Sequence, residues 1–82
     1  MSKRVELSPT AYKWMLRHRF ISEEALIGIV LHCPLEERKY IGKNKFQVLF
    51  KKRKNKKFVE IMLWVEERQE IFCIQKIHST RV

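Results

Sequence analysis

The spacing of apolar residues changes period at Pro34, and this switch constrains the fold more than any other feature of the chain. Before Pro34 the apolar positions recur at helical spacing. After it, from Phe46 to His78, they alternate with polar and charged residues at a period of two. Helical segments followed by a run of strands predict an α+β domain, with the helices on one face of an antiparallel sheet.

The helical part carries two start signals. Ser8 precedes Pro9, so a serine N-cap is followed by a proline whose missing N–H costs nothing at the first helical position. The first helix is expected from about Pro9 to His18, with Ala11, Met15 and His18 on one stripe and Trp14 beside it. Ser22 is the second cap. Ile21 precedes it, and Glu23 and Glu24 place carboxylates at the positive end of the helix dipole. From Ala25 to His32 the second helix is apolar on most sides, which predicts that it is buried; Pro34 stops it. Ahead of both, Val5 and Leu7 flank Glu6 and suggest a short first strand or an extended arm.

Beyond Pro34, Glu37 to Ile41 reads as a strand and Gly42-Lys43-Asn44 as a turn. Phe46, Val48 and Phe50 alternate with Lys45, Gln47 and Lys51. Lys54-Asn55 turns the chain again. Val59, Ile61, Leu63 and Val65 then share one face, with Phe58, Met62 and Trp64 on the other. Glu66 to Gln69 closes a hairpin into a last strand, Ile71 to His78. Strict alternation there puts Ile71, Cys73 and Ile77 on one face and Phe72, Ile74, Lys76 and His78 on the other. The expectation is a single domain, residues 1–82, with two N-terminal helices on a roughly four-stranded antiparallel meander. The last two strands are apolar on both faces, so they lie centrally or have one face covered by a partner, a homodimer among the options.

A chain of 82 residues has room for one core. At 45% apolar residues, including five Phe and two Trp, it has the means to build one. Cys33 and Cys73 do not make a disulfide framework and read as small apolar residues. No cluster has zinc-ligand spacing, and no cofactor is expected. The longest apolar run, Ala25 to Leu31, is too short to span a bilayer and is interrupted by Gly28. The Met-Ser-Lys-Arg start leads into polar residues, so a cytoplasmic location without a membrane partner is expected.

Charge points to function. The chain carries 18 Lys and Arg against 9 acids, a net +9. Ten of the 18 lie between Arg38 and Val59, a stretch with no acid. Lys51-Lys52-Arg53-Lys54-Asn55-Lys56-Lys57 packs six of them into seven residues. On two hairpins these should gather at one edge or tip of the sheet, with Lys43 and Lys45 nearby. There they would follow a phosphate backbone and bind it in a salt-dependent way. The structural alternative is a solvated hairpin whose lysines protect a sheet edge from aggregation. Arg17-His18-Arg19 closes the first helix, where cations suit the dipole; Arg17 is also a candidate phosphate contact. Phe20 or Trp64 could stack a base. Lys76 and His78 point the same way on the last strand and, with Arg81 and Arg19, are the catalytic candidates for metal-independent RNA cleavage. No glycine-rich phosphate loop, paired carboxylates or Ser/His/Asp set is present; His18, His32 and His78 are scattered, and His32 reads as a helix C-terminal residue.

Arg19-Phe20-Ile21-Ser22-Glu23-Glu24, the apolar second helix, Cys33-Pro34 and the charged alternating strands together resemble a family of small prokaryotic proteins, domain of unknown function 4258. Its members show His-Ala…Arg-Met…Arg-Gly-Ile-Ser-Glu-Glu, then a helix ending in Asn-Pro. The resemblance runs from Leu7 to about His78. It implies a RelE/BrnT-like fold, RNA cleavage of the toxin–antitoxin type, and neutralisation by an antitoxin protein. On the Ile21-Ser22 alignment the family's His falls on Ala11, its first Arg on Met15 and its Gly on Phe20; Arg19 alone keeps a basic motif position. These departures lower the expectation of catalysis and leave the binding expectation intact. The residues are thus compatible with three functions: an RNA-favouring nucleic-acid-binding domain, an endoribonuclease, and a protein-interaction or dimerisation module.

Overall fold

A computed structural model describes residues 4–81, with the backbone alone for Thr80 and Arg81. The element order is β1 (Arg4–Leu7), α1 (Pro9–Arg17), α2 (Glu23–Leu31), a 3-10 turn (Leu35–Glu37), β2 (Lys39–Tyr40), β3 (Lys45–Lys54), β4 (Lys57–Glu67) and β5 (Ile71–Arg81). The fold is α+β. Its sheet has five strands in the order β1-β5-β4-β3-β2. β2 to β5 form the expected antiparallel meander. The expectation of four strands is corrected by β1, which runs parallel to β5 with Arg4 opposite Ile71 and Leu7 opposite Ile74. The sheet is therefore mixed.

Both helices start where a serine satisfies an otherwise unpaired amide. The Ala11 N–H donates to Ser8 Oγ at 3.1 Å, and the Ala25 N–H to Ser22 Oγ at 3.1 Å. Ser8 does more than cap. Its hydroxyl donates to the Gln75 carbonyl at 2.7 Å and its N–H to the Ile74 carbonyl at 2.9 Å, tying the start of α1 to β5. The α1 stripe packs as its spacing predicts, with Ala11 fully buried and Trp14 and Met15 against the core. His18 caps α1; its Nδ1–H donates to the Trp14 carbonyl at 2.8 Å, and its ring stacks on the indole at 4.1 Å.

One buried cluster joins both helices to one face of the sheet. It holds Ala11, Leu26 and Val30 from the helices and Phe46, Val48, Ile61, Leu63, Val65, Phe72, Ile74 and Ile77 from the strands. α2 is less enclosed than its composition predicts. Leu26 and Val30 are buried, but Leu31 on its far side is 39% exposed, because the helices form one layer on the sheet. The expected strand Glu37 to Ile41 is reduced to two paired residues, since Leu35–Glu37 is a 3-10 turn. Arg38 then turns inward, its guanidinium 4.9 Å from the Phe46 ring and 5.2 Å from that of Phe72. Its nitrogen reaches the Tyr40 hydroxyl at 3.5 Å, which donates to Glu67 at 3.0 Å. Arg38 thus leaves the set of surface cations.

β5 departs from strict alternation. Val65 pairs with Ile74 but Trp64 pairs with Lys76, so Gln75 is an extra residue, a β-bulge. The bulge exchanges the faces beyond it. Phe72, Ile74 and Ile77 all face the core, while Cys73, Lys76 and His78 face the other way. The expectation that Phe72 and Ile74 share a face with Lys76 and His78 is therefore corrected, and the cause is one inserted residue.

Candidate functional site

The helices leave the second face of the sheet uncovered, and the strand registers fix what lies on it. Across β3, β4 and β5, Gln47, Trp64 and Lys76 form one row, and Leu49, Met62 and His78 the next. Lys51 stands opposite Glu60 and Arg53 opposite Phe58. Two of these apolar side chains are well exposed for their type: Leu49 and Phe58 are each 55% accessible. Trp64 is half-buried, with the Lys76 Nζ 5.2 Å from its ring centre. On β4 the face carries Phe58, Met62 and Trp64 interspersed with Glu60 and Glu66, with cations on the strands to either side.

The basic run does not form a single patch. On β3, Lys51 and Arg53 project from the uncovered face, while Lys52 and Lys54 project to the helix side. Lys57, opposite Lys54, shares the helix side, and Lys56 lies in the turn. Asn55 makes this two-residue turn possible. Its φ of 57° is one that asparagine tolerates and most residues do not. Lys54 is already engaged, its Nζ 5.0 Å from the centre of the Phe20 ring. Lys45 and Lys43 lie at the opposite end of β3, about 30 Å from Lys54 by strand rise. The cations form a track along β3 instead of gathering at one tip.

The remaining candidates separate. Arg17 and Arg19 are exposed around the α1–α2 turn, on the helix side. Phe20 is half-buried beneath Trp14, His18 and Lys54, which removes it as a free stacking platform. Lys76 and His78 are exposed on the uncovered face, with the sheet between them and Arg19. The Arg81 side chain lies outside the described residues. The four catalytic candidates are not one constellation. Lys76 and His78 share a face, and Arg19 does not join them.

Three residues of the uncovered face were not expected as site residues: Leu49, Met62 and Phe58. The available signal was that β4 is apolar on both faces although only one face can pack against two short helices. Glu66, also on this face, is held by Arg68 at 2.7 Å and Gln75 at 3.5 Å. Cys33 and Cys73 are free thiols. Burial pushes both above the ordinary thiol range, in Cys33 against the opposing pull of Arg38. Neither is poised as a thiolate nucleophile. Among the described residues no group of three or more His, Cys, Asp or Glu is placed to hold a metal ion, and no helix is long and apolar enough to cross a membrane. Comparison of the chain with protein-family models, with curated proteins and with solved structures finds no match.

Proposed function

We propose that the protein binds single-stranded nucleic acid, RNA in preference, across the uncovered face of its sheet. The observation that carries this reading is the pattern of that face: Phe58, Met62 and Trp64 on β4 in the middle, Leu49, Lys51 and Arg53 on one side, Lys76 and His78 on the other. Base faces stack on exposed aromatic rings whatever their sequence, and phosphates follow lysine and arginine. An extended single strand fits this arrangement better than a duplex, whose bases are not available to stack. Lys45 and Lys43 extend the phosphate track along β3, and Lys56 extends it past the hairpin. Lys52, Lys54 and Lys57 add positive potential from the other side without direct contact. The preference for RNA rests on the likeness to domain of unknown function 4258 and its RelE/BrnT-like relatives, and so does neutralisation by an antitoxin protein. Cleavage is the weaker reading, because Arg19 stands apart from Lys76 and His78.

The test is binding of a labelled single-stranded RNA, followed by fluorescence anisotropy at two salt concentrations and compared with duplex RNA and duplex DNA. Affinity should fall with salt with a slope of about −0.7 per phosphate contact. Lys51→Glu/Arg53→Glu should reduce it strongly, and Trp64→Ala by about 1–3 kcal/mol. The same RNA run on a gel afterwards should be intact; cut RNA would move the reading to Lys76 and His78. Absence of binding at low salt would refute it, and the exposed Leu49 and Phe58 would then mark a protein contact or a homodimer face.

A further inference from the structure

β3 has an open edge, and the ladder shows which of its backbone groups are unused. In the two-residue hairpin Lys54 pairs with Lys57, so even-numbered residues of β3 direct their N–H and C=O to β4. Odd-numbered residues direct theirs the other way. The Ile41 N–H accordingly reaches the Lys45 carbonyl at 2.9 Å, and Lys39 pairs with Gln47. There β2 stops. Leu49, Lys51 and Arg53 present their N–H and C=O groups beyond the sheet, with no strand there among the described residues.

Beside this edge lies a groove of about 430 Å³, between α2 and β3. Ala25, Gly28 and Ile29 of α2 line it, as do Val48, Leu49 and Phe50 of β3, and Cys33 and Glu37 of the segment between them. An apolar cavity of roughly 150 Å³ takes a benzene-sized group, so this groove has room for two or three aliphatic side chains. Gly28 is a second, independent observation. It sits inside α2, where glycine is unfavourable, yet a Cβ placed there meets nothing within 4 Å. The fold leaves open space at this position, and a glycine there lets another backbone come close to the helix.

We propose that an extended acidic peptide adds to β3 as a sixth strand, pairing with Leu49, Lys51 and Arg53. Side chains alternate along an added strand. Those on one side would enter the groove beside Val48 and Phe50 and should be aliphatic. Those on the other would stand opposite Lys51 and Arg53 and should be acidic. The charge of β3 selects this occupant over a second copy of the chain. The strand carries Lys45, Lys51, Lys52, Arg53 and Lys54 and no acid. A symmetric antiparallel pair of β3 strands centred on Lys51, Lys52 or Arg53 sets cations directly opposite one another, which is unfavourable, whereas an acidic strand neutralises Lys51 and Arg53. A further open stretch, β5 beyond Ile74, is interrupted by the Gln75 bulge and tied to Ser8.

The probe is an acetylated, amidated peptide of about six residues, a common strand length, alternating glutamate and leucine. Its fluorescent form is titrated into the protein, and amide exchange of the protein is followed by NMR. Binding should slow exchange at Leu49, Lys51 and Arg53. N-methylation at alternate peptide residues, which removes strand pairing and keeps the charge, should weaken binding at least about tenfold. Gly28→Leu fills the groove from an open position and should weaken it similarly; thermal melting establishes that this variant is folded. Binding unaffected by N-methylation, exchange protection confined to Phe58, Met62, Trp64, Lys76 and His78 on β4 and β5, or no binding overturns the proposal. So does edge protection that depends only on protein concentration, which would identify a second copy as the occupant.

Discussion

Replacing Gly28 by alanine should stabilise this protein. Gly28 lies in the interior of α2, and an added methyl meets no neighbour within 4 Å. The substitution removes conformational freedom from the unfolded chain and restores helix propensity, together worth about 1 kcal/mol. The methyl also lies in the groove beside Ala25 and Ile29, where partial burial adds a few tenths more on the scale of about 0.8 kcal/mol per fully buried CH₂. For a domain of this size about 1 kcal/mol is a rise in Tm of about 4–8 °C. The assay is reversible thermal and urea unfolding followed by circular dichroism. The urea midpoint should rise with an unchanged slope, since the surface exposed on unfolding hardly changes. A lower Tm would refute the reasoning. It would mean that the space above Gly28 is filled by the protein's own atoms and that the groove against β3 is closed.

Other substitutions test other joints of the fold. Ser8→Ala removes a helix cap and the tie to the Gln75 carbonyl, and should cost about 2 kcal/mol in urea unfolding; a change below about 0.5 kcal/mol would show that α1 is not anchored there. Asn55→Ala should cost about 1 kcal/mol because φ is positive at that position, whereas Asn55→Gly should be tolerated; equal stability of the two would argue against the turn. Both thiols have folded-state pKa values raised by burial. A raised value gives stability that is complete below the unfolded-state pKa and is lost as pH rises through the folded one. The urea midpoint should therefore fall on moving from neutral to alkaline pH. The fall should be shallower in Cys33→Ala/Cys73→Ala, and an equal fall would contradict the assignment.

What could be read from the sequence was local. Ser8-Pro9 and Ser22 mark helix starts because a side-chain oxygen three residues ahead of an amide is a short-range device. Lys54-Asn55 reads as a turn because asparagine accepts the backbone angle it needs. The alternation of β3 and β4 survives intact, since their pairing is continuous over ten residues. The failures are non-local. β1 pairs with a strand more than sixty residues later, and four residues carry too little pattern to announce a parallel partner. The bulge at Gln75 is set by where β5 must meet both β4 and Ser8, and it turned Lys76 and His78 away from Phe72 and Ile74. The site was half legible for the same reason. The cations of the 51–57 run were plain in the sequence, but their division between two faces, and the company that Lys51 and Arg53 keep with Trp64 and Phe58, depend on strand register.

The most direct test of the proposed function is to follow backbone amides and the Trp indole N–H groups by NMR while a short single-stranded RNA is added at low salt. The account predicts shifts along the uncovered face, at Leu49, Lys51, Arg53, Phe58, Met62, Trp64, Lys76 and His78. The indole of Trp64 should respond, and that of Trp14, packed under His18, should stay still. Shifts confined to the helix side around Arg17 and Arg19, or no response at any residue, would contradict it.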